Sequence, residues 1–293
     1  MQVWMNGSLV PADQARISVF DRGVLFGEGV YESVRICAGR APFLSRHQAR
    51  LGRSLSAIGL DADLAEQLPL AVAAILERDG LSEGNIYLQA TRGGTVGERR
   101  HVAAGETTPT IFAFASAAPP LGEAPAAIRA VTRPDDRWHR CGIKSTNLLG
   151  NVLALAAAAD DDAEEAILLR DGLVSEGAYT NVFVRLGDRL ATPPIDDTPS
   201  ILGGVTRDVL IDRLRADGRI RVVEEPIVES LIREAEEILV TSSRRMVSAV
   251  TTLDGRPVGD GRVGPFARLC FDLLRRAITG TPAVPPSPVG TSA

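Results

Sequence analysis

A proline-rich segment near the middle of the chain divides the sequence into two halves, each mixing strand-like and helical patterns. The segment SAAPPLGEAPA, residues 116–126, carries three prolines and little hydrophobic periodicity, which is typical of a linker. On both sides of it, β-rich runs alternate with apolar stripes of helical period. The sequence therefore predicts an α/β (α+β) protein with two mixed α/β domains, at 1–116 and 127–278, joined by a linker at 117–126.

Each half contains several predicted elements. In the N-terminal half we predict strands and β-rich runs at 2–10 (with a turn at Asn6-Gly7), 29–38, 85–91 and 109–115, and helices at 45–59 and 63–79. In the C-terminal half we predict strands at 127–132, 165–170, 180–186, 219–224, 237–241 and 246–252, and helices at 147–160, 204–216, 227–235 and 264–278. The last stretch, 279–293, is rich in Pro, Ser and Gly, and we expect a disordered tail there.

The composition fits a globular protein and argues against several classes of partner. Hydrophobic residues make up 45% of the chain and charged residues 24%, so bulk disorder is not expected. The net charge is −5 and no basic block stands out, which argues against nucleic acid or an anionic membrane as a partner. We find neither a run of about 18 apolar residues nor a signal peptide, and therefore expect a cytoplasmic protein.

Cysteines and histidines are few and scattered along the chain. They are Cys37, Cys141, Cys270, His47, His101 and His139. An odd, scattered set of cysteines is typical of reduced thiols in a cytosolic protein. No metal-ligand cluster at regular spacing can be drawn from these residues, so we expect no metal site.

A single lysine stands among the 32 basic residues. Lys144 is the only lysine, and the others are all arginines. One interpretation is chance, since a coding bias can replace surface lysines by arginine. The interpretation we favour is that this position needs an amine, because an amine can lose its proton and form an imine, whereas arginine stays protonated. We expect Lys144 at a strand end facing a cleft, before a helix capped by Ser145, Thr146 or Asn147.

Two further segments could act together with an amine. Glu176 ends a short apolar strand; such a glutamate alone is more often a solvated turn residue. Beside a unique lysine, it becomes a candidate for holding a pyridine nitrogen protonated. The glycine-rich segment SILGGVTRDVL, residues 200–210, opens a predicted helix. Its first-turn N–H groups at Val205 and Thr206 could bind a phosphate, although two glycines before a helix are usually only a turn.

Other side chains could add to such a phosphate site. Thr241, Ser242 and Ser243 end another predicted strand and could supply hydroxyl groups. Arg50 lies on the first long predicted helix, and its guanidinium suits a phosphate, although it is one of many arginines.

Seven segments, spread over most of the chain, occur together in a specific order. They are DRGVLFGEGVYESVRI (21–36), RHQARL (46–51), IYLQATRG (86–93), RWHRCGIKSTNLLGNVLAL (137–155), LVSEGAYTNVF (173–183), LGGVTRDVL (202–210) and ILVTSSRRMVSAV (238–250). In this combination the chain resembles the fold-type IV (class IV) aminotransferases, which depend on pyridoxal 5'-phosphate (PLP), over about residues 1–278. The segment around Lys144 is most similar to the D-amino acid (D-alanine) aminotransferases.

The resemblance implies a fold, a cofactor and a set of cofactor-binding residues. Two mixed α/β domains would hold PLP in the cleft between them. Lys144 would form the Schiff base with PLP and carry the substrate proton, Glu176 would pair with the pyridine nitrogen, and Leu202 would pack against the ring. The phosphate would be held by Arg50, Val205, Thr206, Ser242 and Ser243.

The resemblance also implies a substrate site and a homodimer. Tyr31, Arg99 and His101 would match the set that binds the substrate carboxylate in the D-amino acid enzymes. In those enzymes the Arg-x-His pair comes from the neighbouring subunit of a dimer. The loop before Arg99 is longer here than in the typical D-amino acid enzyme, and Arg100 offers a second choice of arginine.

The implied reaction is a ping-pong transfer of an amino group between a D-amino acid such as D-alanine and a 2-oxo acid. Branched-chain L-amino acid aminotransferases and aminodeoxychorismate lyases share the cofactor residues, so only the substrate pocket separates them; Arg99 and His101 favour the D-amino acid enzymes. A Schiff-base lyase that uses Lys144 without PLP would need no phosphate-binding turn. A third alternative, a non-catalytic binding module, would not explain the unique lysine or Glu176.

Overall fold

The computed structural model describes residues 1–103, 107–195 and 200–280. The described part consists of two β-sheets with helices packed against their faces, which confirms the predicted α/β class. The disordered tail predicted at 279–293 lies, apart from its first two residues, outside the described residues, and Thr279 is the last residue of a helix.

The helices and strands follow the predicted order. The helices are α1 (Arg22–Phe26), α2 (Leu44–Ala57), α3 (Gln67–Asp79), α4 (Leu149–Asp160), α5 (Val205–Asp217), α6 (Glu229–Arg233) and α7 (Pro265–Thr279), with a 3-10 helix at Ala62–Glu66. The strands are β1 (Gln2–Met5), β2 (Ser8–Pro11), β3 (Gly29–Cys37), β4 (Glu83–Thr91), β5 (Thr110–Ala117), β6 (Ala126–Pro134), β7 (Glu165–Arg170), β8 (Leu173–Gly177), β9 (Asn181–Leu186), β10 (Arg189–Thr192), β11 (Arg221–Glu224), β12 (Glu237–Ser242), β13 (Met246–Leu253) and β14 (Arg256–Pro257).

The first sheet is antiparallel throughout, in the order β2-β1-β5-β4-β3. The predicted turn between β1 and β2 is present: Asn6 and Gly7 both have positive φ, as a two-residue hairpin turn requires. Helices α2 and α3 cover one face of this sheet. Their apolar stripes, for example Leu51 and Leu55 of α2, are fully buried against Val34 and Ile86 of the strands.

The second sheet is mixed and has nine strands. Its order is β11-β10-β9-β12-β13-β6-β7-β8, with β14 beside β13. The pairs β10–β11, β13–β6 and β6–β7 are parallel. Helices α5 and α7 pack on one face and α6 on the other, which explains why the central strands are buried on both sides.

Strands β5 and β6 flank the proline-rich segment, so each sheet takes its strands from one side of it. The division into two domains with a linker at 117–126 stays a prediction. Hydrogen bonds tie the Lys144 segment to the first sheet: Tyr31 N donates to Lys144 O at 3.0 Å, and Thr146 N donates to Gly29 O at 3.0 Å. The segment before α4 therefore lies against the edge strand β3.

Two expectations about this segment are wrong. The residues before Lys144 do not form a strand; they form turns after β6. The N-cap of α4 is Leu148, without a side-chain cap, rather than Ser145, Thr146 or Asn147. The reason is that these polar side chains have other partners: the Thr146 hydroxyl and the Asn147 amide both donate to the carbonyl of Gly27.

Within the described ranges, no helix is long and apolar enough to cross a membrane. Nor do the described residues contain a group of three or more His, Cys, Asp or Glu side chains able to hold a metal ion. The three cysteines are free and buried.

Candidate active site

Lys144 lies on the wall of a cavity between β3, β8 and α4. The cavity has a volume of about 190 Å³, and Tyr31, Glu176 and Leu202 also line it. The Lys144 Nζ atom lies 4.2 Å from the centroid of the Tyr31 ring. Tyr31 in turn stacks on Tyr87, with ring centroids 5.4 Å apart, so Tyr87 restricts the orientation of the Tyr31 ring. The structure therefore brings together the unique amine and three of the other residues singled out from the sequence.

Glu176 is buried rather than solvated. It lies in β8, is 5% exposed, and accepts hydrogen bonds on both carboxylate oxygens. Arg137 Nη1 donates to Oε1 at 2.7 Å, while Asn181 Nδ2 and the backbone N of Leu202 donate to Oε2 at 3.2 and 3.1 Å. Burial raises the pKa of Glu176, and the charge of Arg137 works against that rise. The effect of burial is the larger one, so the pKa stays above its usual value, and Arg137 limits the rise.

Arg137 is itself held by a buried acidic residue. Asp135 accepts from Arg137 Nε at 2.9 Å and from Nη2 at 3.0 Å, in a forked arrangement. Asp135 also lies 3.0 Å from Arg170 and accepts from the hydroxyl of Ser175 at 2.8 Å. The carboxylate of Glu176 thus belongs to a cluster of two acidic and two basic side chains, whose formal charges cancel.

A second part of the site is the turn that opens α5. Leu202 lines the cavity, and the helix begins three residues later with Gly204 as its N-cap, without a side-chain cap. The first-turn N–H groups at Val205 and Thr206 are thus not taken by a capping side chain, and they carry the positive end of the helix dipole. A Cβ at Gly204 would lie 1.9 Å from Asn181 Oδ1, so only glycine fits at this close approach.

Arg50 reaches this turn from α2. Its Nη1 donates to the carbonyl of Gly203 at 3.1 Å, while Nε and Nη2 donate to the two oxygens of Glu32, both at 2.7 Å. His47 Nδ1 also lies 2.7 Å from Glu32. Burial by itself would raise the pKa of Glu32, but Arg50 and His47 outweigh that effect, and the pKa is lowered to about 2. An ionised Glu32 therefore fixes the guanidinium of Arg50 beside the helix N-terminus.

The predicted serines lie near the same end of the site. Ser243 and Thr206 line a small recess together with His47. Ser242 ends β12, and its hydroxyl accepts from Arg245 N at 3.3 Å, so it closes the turn into β13. The hydroxyl of the preceding Thr241 is buried and has no hydrogen-bond partner among the residues that the structure describes.

Arg99 and His101 lie away from Lys144. Both pack on Phe26 of α1: the Arg99 guanidinium carbon is 5.1 Å from the ring centroid, and the His101 ring centroid is 5.6 Å away. The described residues that line the Lys144 cavity include neither of them. Arg100 lines a different, smaller recess, together with Arg22 and Val102.

Sequence analysis missed several residues of the site. Arg137 carried no signal, because it is one of many arginines in an irregular segment. Glu32 did carry a signal, because a carboxylate is unusual within the apolar strand β3. His47 was missed as well, and it lies on the buried face of α2. Each of these side chains supports a residue that had been identified: Arg137 supports Glu176, and Glu32 supports Arg50.

The donor set fits a cofactor that carries an aldehyde, a basic ring nitrogen and a phosphate. Lys144 supplies an amine, Glu176 a buried carboxylate, and the start of α5 uncapped N–H groups beside Arg50. These are the functional groups by which proteins hold PLP, and Leu202 connects the two parts of the site.

Comparisons with known proteins assign the chain to a family. The model of the amino-transferase class IV family matches residues 29–253, and the chain belongs to this family. It is therefore a PLP-dependent transaminase. The D-alanine aminotransferases of Staphylococcus aureus (strain MW2) and Bacillus licheniformis are 37% and 35% identical to it. Those alignments cover 91% and 95% of this chain, and 94% and 97% of the two relatives.

A solved structure shows the same fold. The branched-chain aminotransferase from the thermophilic archaeon Thermoproteus uzoniensis, determined with norvaline, superposes with a TM-score of 0.81 at 26% identity. The superposition covers 96% of this chain and 95% of that one. The fold class expected from the sequence is thereby confirmed.

Proposed function

We propose that the protein transfers an amino group between a D-amino acid, such as D-alanine, and a 2-oxo acid in a ping-pong reaction. The observation that carries this proposal is the position of the single lysine, on the wall of a cavity that also contains the buried carboxylate of Glu176. The relatives that are D-alanine aminotransferases, aligned over almost the whole chain, support the choice of a D-amino acid.

Lys144 is the base and the attachment point in this proposal. Its amine would hold the cofactor at the aldehyde carbon, with loss of water, and, once the substrate amine has taken its place, would take the proton from the substrate α-carbon. The cofactor, when bound, serves as the electron sink for that proton removal. Tyr31 lies under the Nζ atom of Lys144, and its ring limits the directions in which the amine can move.

Glu176 holds the proton on the ring nitrogen of the cofactor. A carboxylate has about four lone-pair positions, so it can accept from a ring N–H in addition to Arg137, Asn181 and Leu202. Arg137 stabilises the ionised form of Glu176 against the effect of burial. An ionised Glu176 would keep the proton on the ring nitrogen, where its charge favours removal of the substrate proton.

The phosphate of the cofactor is held at the other end of the site. The positive end of the α5 dipole and the guanidinium of Arg50 both favour a dianion there. The residues proposed to contribute are Arg50, Val205, Thr206, Ser242 and Ser243. Leu202 packs against the cofactor ring, because it lines the cavity between the phosphate end and Glu176.

The substrate carboxylate is bound by Tyr31 together with Arg99 and His101 of a second copy of the chain, in a homodimer. Arg99 and His101 both contact the ring of Phe26 and do not line the cavity of their own chain, which fits a contribution to a neighbouring site. Fixing the carboxylate on one side of the cofactor determines which substituent faces Lys144, and hence which enantiomer loses its proton. The cytoplasmic location expected from the sequence stays a prediction.

An apolar surface beside the cavity supports the dimer. On α4, Leu149 is 71% exposed and Leu153 is 60% exposed. Val152 of the same helix is also exposed, and it lines the cavity. Trp138 and Tyr179, which also line the cavity, are 42% and 40% exposed. A contiguous apolar patch of this kind is costly in water, and a second copy placed there would cover the patch and close the cavity.

One assay separates this function from the alternatives within the family. The purified holoenzyme is given D-alanine, L-leucine and aminodeoxychorismate in parallel, each under identical conditions. We expect the fastest turnover with D-alanine. Faster transamination of L-leucine would favour a branched-chain aminotransferase and contradict the proposal, and release of pyruvate from aminodeoxychorismate would favour the lyase.

The contribution of the second copy is tested with mixed dimers. Lys144→Ala and Arg99→Ala chains are co-expressed so that mixed dimers form, and each variant expressed alone is the control. In a mixed dimer, one site has an intact Lys144 and receives Arg99 from the other chain, so turnover with the wild-type KM should reappear. If Arg99 acts within its own chain, no site in the mixture is complete and the wild-type KM will not return.

A further inference from the structure

The loop that carries Arg99 and His101 is held in place by Arg22, a residue without a role in the reaction as described so far. We propose that Arg22 is a positioning residue for the substrate carboxylate, which fixes the backbone of this loop so that Arg99 and His101 can bind one carboxylate together. The inference rests on the proposed function, because that function gives Arg99 and His101 their task.

The guanidinium of Arg22 donates in three directions. Nη1 donates to the carbonyl of Arg100 at 2.5 Å, and Nη2 donates to the carbonyl of His101 at 2.8 Å. Nε donates to Glu28 Oε2 at 2.5 Å. The planar fork of arginine lets one side chain bridge two consecutive carbonyls and a carboxylate, which a single ammonium group cannot do.

Arg22 and Glu28 are in turn bonded to residues of the first sheet and its helices. Glu28 accepts from Arg22 with one oxygen and from Arg92 Nε with the other, at 2.5 Å. Arg92 also donates to the carbonyl of Ile58, next to the end of α2, and the backbone N of Arg22 donates to Gly93 O at 2.8 Å. The side chain of Arg22 is only 10% exposed, so water competes little for these bonds.

Phe26 gives the loop a second contact. The guanidinium carbon of Arg22 lies 4.7 Å from the Phe26 ring centroid, and Arg99 and His101 pack on the same ring. A cation–π contact is weaker than a charge-assisted hydrogen bond, so the ring alone does not fix the loop. The two charge-assisted bonds from Arg22 to the loop carbonyls are the stronger interaction, and they hold the backbone on both sides of the His101 side chain.

The variant Arg22→Lys tests the inference in the holoenzyme. Lysine keeps a positive charge beside Glu28 but cannot bridge both carbonyls. We expect faster hydrogen–deuterium exchange in peptides covering 95–103 and unchanged exchange in α3. The KM for D-alanine should rise about tenfold, the scale of one charge-assisted bond, while kcat and the absorbance of the bound cofactor stay close to wild type. Arg16→Lys, at an exposed arginine that bonds only its neighbouring carbonyl, is the matched control.

The outcomes separate this inference from the proposed function. Unchanged exchange at 95–103, or faster exchange with an unchanged KM, overturns the positioning role of Arg22. If Arg99→Ala leaves the KM for D-alanine unchanged, the proposed carboxylate site fails, whatever Arg22 does to the loop. If Arg22→Lys does not fold, Glu28→Gln keeps Arg22 and removes the carboxylate that orients it; unchanged exchange and KM in that variant would likewise overturn the inference.

Discussion

Replacing Glu165 by glutamine is expected to stabilise the protein above neutral pH and to change its stability little in acid. Glu165 begins β7 and is fully buried behind the turn that connects β8 and β9. Its carboxylate accepts from the backbone N of Ala166 and of Ala178, both at 2.9 Å, and from the Thr180 hydroxyl at 2.7 Å. It forms no ion pair among the described residues, so its negative charge is stabilised mainly by these neutral donors, with a smaller contribution from the charge of Arg245.

The magnitude follows from the pKa of this carboxyl. Burial raises the pKa of Glu165 from 4.5 to about 7, against the opposing effect of its three hydrogen bonds. At 1.36 kcal/mol for each unit, full ionisation costs the folded state roughly 3 kcal/mol. Below the unfolded pKa both states are protonated and the cost is absent. Between the two pKa values the folded state binds the extra proton, so stability falls as pH rises, and above the folded pKa the whole cost is present.

Glutamine should retain the hydrogen bonds without the charge. Its carbonyl oxygen can accept from the two backbone N–H groups, and its amide can donate to Thr180, whose hydroxyl can rotate to accept. The measurement is the difference in Tm between Glu165→Gln and wild type at pH 5 and at pH 8. We expect a small gain for the variant at pH 5, which lies just above the unfolded pKa, and a much larger gain at pH 8.

The control for this experiment is Glu123→Gln, which removes the same charge at an exposed position. Its Tm difference from wild type should not depend on pH in this range. A Glu165→Gln variant that is less stable than wild type at pH 8, or whose Tm difference is the same at both pH values, would refute the reasoning about the buried charge.

Three further predictions concern the active site. Lys144→Arg should fold normally but lose the borohydride-reducible link to the cofactor and nearly all turnover; a cofactor still attached to a side chain would contradict the role of the lysine. Glu176→Gln should keep its cofactor but slow turnover by about three powers of ten, since a barrier increase of ~4 kcal/mol has that effect; near-wild-type rates would exclude a role in the electron sink. Arg99→Ala should raise the KM for D-alanine by at least tenfold, since a charge-assisted bond is worth about 1.5–3 kcal/mol, without altering the cofactor spectrum; an effect from Arg100→Ala instead would show that the wrong arginine was chosen.

Regular elements were largely predictable from the sequence because each carries a local signal. Helix α2 and strand β3 each bury one face. Their apolar residues therefore recur with the period of a helix or of a strand, and this period can be counted in the sequence. The short elements α1, β10 and β14 were missed. They contain five, four and two residues, too few for a period to be counted.

The position of Lys144 could not be predicted in the same way. The segment that carries it has no regular structure, and it is held by bonds to residues far away in sequence. One example is the backbone N of Lys144, which bonds to Ser54 at 3.2 Å. Thr146 and Asn147 looked like helix caps because that is the commonest local use of such side chains before a helix. Their actual partner, the carbonyl of Gly27, is some 120 positions earlier and leaves no local pattern.

The difference between Lys144 and Arg137 shows which kind of functional residue a single sequence can reveal. The amine of Lys144 can lose its proton and form an imine, which the guanidinium of arginine cannot do. In a chain whose other basic residues are all arginines, the single lysine is therefore conspicuous. Arg137 acts through its charge and its forked geometry, which every other arginine of the chain also has, and only its partners Asp135 and Glu176 distinguish it. Residues that act by their chemistry can therefore be found from the sequence, whereas residues that position them, Arg22 and Arg137 among them, are found only once the structure shows their partners.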